Sequence, residues 1–203
     1  MINLKMIPEI LIFRSSSPTY HRFENATVYQ PVRNLNHARN LPTMSTRELQ
    51  ESLSGEMNAV CLESIGSAYM RNAIQNAHYF LVAFDHEKRK ICGVLFLQIY
   101  ETWSPRFQTH WFGYIDLVCS RCKTFGKRLI QQAEAFCTGC LFMRLNAVSG
   151  AVKYYETLGY EHKTQPCDRS SIARPWAYVR NRRTPGMNVN NIGVKMAKCL
   201  VQL

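Results

Sequence analysis

Residues 115–129 read IDLVCSRCKTFGKRL, an apolar stretch that passes through a short polar turn into a basic helical pattern opened by a glycine. A strand, turn and helix of this kind bind phosphate. The first N–H groups of a helix lack intrahelical partners and the helix dipole is positive there, so a pyrophosphate can lie against them while glycine lets the backbone approach closely. The residues concerned are Arg121, Cys122, Lys123, Thr124, Phe125, Gly126, Lys127 and Arg128. Taken alone, they equally describe a solvated basic helix face. Upstream, Asp116 stands in an otherwise apolar strand, where a carboxylate is disfavoured unless it is paired or functional. Strand alternation places it with Tyr114 and Val118, opposite Ile115 and Leu117. It is the first candidate proton acceptor, against the competing role of a structural ion pair. His110 and Glu101 are weaker candidates, and a water relay needs no dedicated base.

Cysteine spacing offers a rival chemistry. Cys119/Cys122 and Cys137/Cys140 form two Cys-x-x-Cys pairs with residues 123–136 between them, close to a four-cysteine zinc spacing. Yet those intervening residues carry an apolar stripe at Phe125, Leu129, Ile130, Ala133 and Phe136, with Lys127, Gln131, Gln132 and Glu134 turned to solvent. A helix of that length spans about 20 Å, and thiolates at its two ends cannot all come within about 2.3 Å of one ion. The stripe favours the helix. No metal is expected, and the thiols read as small buried hydrophobes.

Composition bounds the rest. The chain has 203 residues, 46% of them hydrophobic, enough for one α/β domain with a sizeable core. Pro8 and Glu9 interrupt the N-terminal apolar run where a signal peptide needs its apolar centre, and the apolar stretches 79–84 and 91–100 fall short of the roughly 20 residues that cross a bilayer. The expectation is a cytoplasmic protein with reduced thiols and no membrane partner. Formal net charge is +11, and residues 161–203 hold eight Lys and Arg against two Asp and Glu. That balance favours anionic partners. Arg174, Trp176, Tyr178, Arg180, Arg182 and Arg183 interleave aromatics with guanidinium groups, which suits nucleic acid, although a solvated loop is the commoner use of such a stretch.

The elements that must position these residues are legible from 44 onward. A helix capped by Ser45 or Thr46 is predicted over 47–57, and a second over about 60–78. Residues 79–100 read as a hairpin around a charged turn, followed by a polar connection at 101–109 and a strand over 110–119. After the helix of the apolar stripe come a strand at 141–148, a short helix ended by Gly159, an irregular basic stretch over 161–190 and a last strand within 191–203. Residues 1–43 read as an N-terminal extension with short strands at 8–13 and 26–32. Strands and helices in this order make an α/β domain with a mixed sheet.

The segment IDLVCSRCKTFGKRLI resembles the acetyl-CoA signature of the GNAT acetyltransferase superfamily, Arg/Gln-x-x-Gly-x-Gly/Ala followed by two residues and Leu; Arg121, Thr124, Gly126 and Leu129 occupy those positions. Tyr155 to Tyr160, reading YETLGY, match the family's Tyr-Glu-Lys-Leu-Gly-Phe-like ending, and Met196, Lys198 and Leu200 match its last strand. The resemblance implies a mixed, mostly antiparallel sheet flanked by helices, with splayed central strands. It also implies that Leu117, Val118 and Cys119 pair with the pantetheine amides of acetyl-CoA, its thioester facing residues 114–116. Tyr155 would be the acid that protonates the departing thiolate, against the alternative of a packed core tyrosine beside Tyr154 and Tyr160. The implied activity is acetyl transfer to an amine-bearing acceptor; a non-catalytic module of the same fold, binding CoA, nucleic acid or a protein, is the alternative. Two positions depart from the pattern. Thr124 replaces the first glycine, where a β-branched residue resists positive φ, and Val148 replaces an asparagine seven residues before Tyr155. Such departures resemble those of divergent members from large DNA viruses.

Overall fold

The apolar runs at 79–100 form the middle of one mixed sheet. In the computed structural model, which describes residues 9–16, 30–31, 35–53, 67–86, 90–104, 108–121, 123–162, 167 and 193–201, β4 (Tyr79–Asp85) and β5 (Lys90–Ser104) pair antiparallel. β5 pairs antiparallel with β6 (Gln108–Ser120). Phe80, Leu81, Val82, Leu95, Phe96 and Leu97 are all buried, as strands covered on both faces require. β7 (Cys140–Ala147) lies parallel to β6, and β8 (Val194–Cys199) antiparallel to β7. On the far side of β8, Glu161 bridges Ala197, so β8 lies between β7 and the chain that follows Gly159.

The segment expected as an N-terminal extension supplies strands to this sheet. β1 (Glu9–Ser15) pairs antiparallel with β4, β2 (Gln30–Pro31) pairs with β5, and β3 (Thr43–Met44) pairs with β1. Alternation explains it: Ile10 and Ile12 pack on the core of one face and Phe13 on that of the other. The strand order is therefore β3-β1-β4-β5-β6-β7-β8. The polar connection expected at 101–109 is also largely strand, because β5 and β6 stay paired out to Ser104↔Gln108. Backbone pairing between two long strands continues regardless of side-chain polarity, and Trp103 is left 63% exposed there.

Helices cover both faces. α1 (Thr46–Ser52) opens on a capping box, in which Ser45 Oγ accepts from the Glu48 N–H and Glu48 accepts from the Ser45 N–H. With α2 (Ser67–Asn76) it covers Phe80, Val82, Phe96, Leu117 and Cys119. The rest of the helical stretches expected at 47–57 and 60–78 includes 54–66, outside the described residues. α3 (Lys123–Phe136) and α4 (Val152–Thr157) go with the opposite face, over Leu95, Leu97, Ile99, Ile115 and Leu145. The predicted stripe is the buried one: Leu129, Ile130, Ala133 and Phe136 are all inside. Glu134 departs from expectation, since it accepts an ion-paired hydrogen bond from Lys198 at 2.8 Å and is 14% exposed rather than turned to solvent. Among the described residues no helix is long and apolar enough to cross a membrane.

Reduced thiols throughout are not what the structure shows. Cys167 and Cys199 form a disulfide, and Cys119 is disulfide-bonded as well. Cys199 stands opposite Phe142 on β8, and only the return of the chain as β8 brings it to Cys167, so spacing alone gave no sign of the pair. Cys92, Cys137 and Cys140 are free and buried, as expected. Helix α3 runs unbroken between the two Cys-x-x-Cys sites, and among the described residues no three His, Cys, Asp or Glu converge as a metal site.

Gly113 on β6 stands directly beside Met143 on β7. A Cβ there would lie 2.8 Å from Cys137 Sγ and closer still to Met143 Sδ, both fully enclosed side chains. Gly113→Ala should therefore lower stability by about 1–3 kcal/mol. The measurement is the urea midpoint, and an unchanged midpoint would mean that Met143 swings aside freely.

Candidate active site

One residue of β6 is in excess. Phe96 pairs with Leu117 and its neighbour Leu97 with Ile115, so Asp116 is the inserted residue of a β-bulge. A bulge bends its strand and increases local twist. The parallel pairing with β7 stops at the same place, at Ile115↔Leu145. Beyond it, β6 continues to Ser120 on β5, and β7 continues to Ala147 on β8. The two central strands therefore fork between Asp116 and Asn146.

The bulge also reverses the alternation read from the sequence. Ile115 and Val118 both pack toward the α3 face, whereas Leu117 and Cys119 pack under α1 and α2. Asp116 does share its side with Tyr114, as expected, but Val118 lies on the opposite face and Leu117 on the same one. An inserted residue shifts the two-residue period by one, which simple alternation cannot register.

Asp116 is half-buried with donors on both carboxylate oxygens. The Tyr69 hydroxyl donates to Oδ1 at 3.0 Å, and Gln98 Nε2 donates to Oδ2 at 3.1 Å. The Tyr100 hydroxyl donates to Oε1 of Gln98, which fixes the amide with its NH2 toward the carboxylate. Across the fork, Asn146 Nδ2 donates to the Tyr114 hydroxyl at 3.1 Å. Burial first, and then the charge of Asp116, push the Tyr69, Tyr100 and Tyr114 hydroxyls well above the ordinary tyrosine range. All three stay protonated at neutral pH.

The turn and helix lie beside the fork. Arg121 and Lys127 are exposed and Arg128 is half-buried. Lys123 is the first residue of α3, Phe125 packs against the core, and Cys122 lies outside the described residues. Thr124 is exposed in the first turn of α3, and the only non-glycine with positive φ among the described residues is Gln108. The strain of a positive φ at Thr124 therefore does not arise, because the helix begins before it and asks for no left-handed residue. Gly126 is required for space: a Cβ would lie 2.9 Å from Ser120 Oγ and 3.5 Å from the Tyr154 hydroxyl. End of strand, start of helix and α4 converge there.

Tyr155 is buried in α4, its ring 5.4 Å from Tyr154 and 5.9 Å from Tyr160. Burial, with a smaller effect of Tyr154, pushes its hydroxyl up to about 12. Tyr155 in turn raises Tyr69 electrostatically. These tyrosines come from helices on opposite faces of the sheet. Val148 is exposed at the start of a 3-10 turn, while Asn146, two residues earlier, faces the fork. Glu101 and His110 are not brought in. Register holds them on the outer hairpin, where Glu101 accepts from Trp111 Nε1 at 2.9 Å and the His110 ring lies 5.7 Å from Phe142.

The mostly antiparallel strand order, the helices on both faces and the fork between the central strands β6 and β7 are the arrangement that the sequence resemblance implied. The chain has a divergent GNAT fold. No protein-family model and no curated protein matches the sequence. Among solved structures it is similar to Tetrahymena GCN5, at 12% identity over 85% of this chain and 96% of that one, with a TM-score of 0.47. The catalytic domain of the Tetrahymena GCN5 histone acetyltransferase in complex with coenzyme A gives 12% identity, 88% and 96% coverage and 0.46. The NatC complex bound to Gag peptide and CoA gives 13%, 87%, 100% and 0.44. At these values the likeness carries no argument, and the fold is read from this chain's own strand order and fork.

Tyr69, Gln98, Tyr100 and Asn146 escaped the sequence reading. Gln98 did leave a signal, an amide within the apolar stretch 91–100; Tyr69 left none. Tyr155 also makes a pH prediction. A hydroxyl raised to about 12 in the fold contributes stability that is fully present below the unfolded value near 10 and is lost as pH rises through about 12. Urea midpoints measured on either side of this window should fall with rising pH, and less in Tyr155→Phe than in the parent. Identical losses would place the effect on the other buried tyrosines.

Proposed function

We propose that this protein transfers an acetyl group from acetyl-CoA to an amine acceptor by direct attack within a ternary complex. The observation that carries this reading is the fork beyond Ile115, with Asp116 at its start and the Gly126 notch at the end of the same strand. The donor set fits such a ligand. Leu117, Val118 and Cys119 on the β7 side of β6 suit an extended pantetheine chain carrying amides, by strand addition. The start of α3, with Gly126 close against Ser120 and the charges of Arg121, Lys127 and Arg128 nearby, suits a pyrophosphate. Lys123, Thr124 and Phe125 form the first turn of that helix, and Cys122, the remaining residue of the stretch, lies outside the described residues.

When bound, acetyl-CoA supplies the thioester carbon that the amine attacks. The chain's own residues then have two proton tasks. A neutral amine is the nucleophile, so the acceptor ammonium must give up a proton, and Asp116, held by Tyr69 and Gln98, is the group assigned to take it. The departing thiolate needs a proton, which Tyr155 holds at its hydroxyl across the neutral range, and the second proton that the nitrogen sheds as the amide forms restores the phenol. Screening amines for acetyl-CoA-dependent release of free CoA tests the activity as a whole. No release with any amine, in a protein that binds acetyl-CoA, would favour the non-catalytic alternative.

Two substitutions test the parts. Gly126→Glu fills the notch and adds negative charge at the helix start, so calorimetry should find acetyl-CoA binding abolished; unchanged affinity in a folded variant would remove the turn from the site. Tyr155→Phe deletes one hydroxyl and keeps the ring. Turnover should fall roughly 10²- to 10⁴-fold with acetyl-CoA affinity nearly unchanged. Full turnover would mean that water protonates the thiolate and that Tyr155 only packs.

A further inference from the structure

We propose that the open edge of β1 pairs antiparallel with the same strand of a second copy of this chain, giving a two-fold dimer with one continuous sheet. The inference does not depend on the transfer reading. On one side β1 is joined to β4 without a register shift, from Glu9↔Phe84 to Arg14↔Tyr79. On the other side β3 covers only Arg14 and Ser15. Bonds at that end fix the direction of the main-chain groups: the Arg14 N–H donates outward to the Pro42 carbonyl and the Ser16 N–H to that of Met44, whereas the Ser15 N–H donates inward to the His78 carbonyl. Strand alternation then turns the N–H and C=O of Ile10 and Ile12 outward, and those of Glu9, Leu11 and Phe13 toward β4. Among the described residues, no strand pairs with that outward row.

Exposed edges are commonly blunted by charges, prolines or bulges. Here residues 10–13 are an uninterrupted apolar run of half-buried side chains. Ile10 and Ile12 pack on the α3 side and Phe13 beneath α1 and α2, while Leu11 joins neither core among the described residues. Register selects the occupant. In an antiparallel pair, facing residues both turn their main-chain groups toward the partner or both turn them away. Setting Ile12 against itself would bring Ile10 to Arg14, whose outward N–H already bonds beside β3. Setting Ile10 against itself would bring Ile12 to Pro8, which has no N–H to give. With Leu11 on the two-fold axis neither conflict arises: Ile10 meets Ile12 of the second copy in both directions, Leu11 meets Leu11, and Glu9, where β1 starts, meets Phe13 short of β3. A run that complements itself in one register favours a second copy over an unrelated strand. The run carries no charge, so the net +11 of each copy is not concentrated at the contact. β4 and β5 stand between this edge and the fork.

The experiment is sedimentation of the parent chain at loading concentrations from about 1 μM to about 100 μM, the range suited to a small contact. The parent should pass from monomer to dimer. Leu11→Lys sets two ammonium groups against each other on the axis, and the dimer dissociation constant should rise at least about tenfold. Leu11→Cys, with oxidised glutathione as oxidant, should give a disulfide-linked dimer, because facing residues without main-chain bonds between them have Cα atoms about 4.5 Å apart, within disulfide reach. Ile12→Cys, which faces Ile10, should not link to itself. The cysteine variant also serves if the lysine variant fails to fold. Hydrogen exchange should protect the Ile10 and Ile12 amides only in the dimer, and the Leu11 and Phe13 amides in both states. A parent that stays monomeric throughout, a dimer that Leu11→Lys leaves unchanged, or linking through Ile12→Cys as readily as through Leu11→Cys would overturn the inference. Protection of Ile10 and Ile12 already present in the dilute monomer would overturn it too, by assigning the edge to the chain's own remaining residues.

Discussion

At Asp116, β6 must fit one more residue than β5 offers it, and the bend that absorbs the surplus determines much of what surrounds it. A strand bent away from its parallel neighbour cannot keep pairing with it, so β7 leaves at Leu145 and the sheet opens. The same surplus reverses the strand's sidedness, sending Val118 toward α3 and Leu117 and Cys119 beneath α1 and α2. A carboxylate at the bend is disfavoured without partners. Tyr69 and Gln98 supply them, and Tyr100 orients Gln98.

Opening the sheet joins its two faces. Tyr69 arrives from α2 on one face and Tyr155 from α4 on the other. On the α3 side, Gly126 allows strand end, helix start and Tyr154 to meet. On the other side, the stacked rings of Phe112 and Phe142 carry Arg144. The proposed transfer divides along the same lines, with the phosphorylated cosubstrate on the helix side and proton transfer in the fork.

β8 ties the two sides together through its own alternation. Lys198 reaches α3 through Glu134, while its neighbour Cys199 points to the aromatic face and is bonded to Cys167. That bond anchors residue 167 beside Phe142. Arg174, Trp176, Tyr178, Arg180, Arg182 and Arg183, which carried the nucleic-acid alternative, lie outside the described residues.

The sequence by itself determined the elements whose causes are local. The apolar stripe of α3, the cap at Ser45, one of the two residues offered for it, the β-rich runs of β4 and β5 and the glycine after α4 each act within a few residues, and each stands where periodicity and capping chemistry put it. It also singled out Asp116, Gly126 and Tyr155, because an acid in an apolar strand, a glycine at a helix start and a tyrosine in a short motif are visible as letters. Tertiary structure decided the bulge, the reversed face, the Cys167–Cys199 bond and the company of Asp116. Tyr69 and Asp116 are 47 residues apart, and Cys167 and Cys199 are 32 apart. Register between strands is a property of the whole sheet, set where cores on both faces fill together, and one inserted residue changes every assignment beyond it without altering any local pattern.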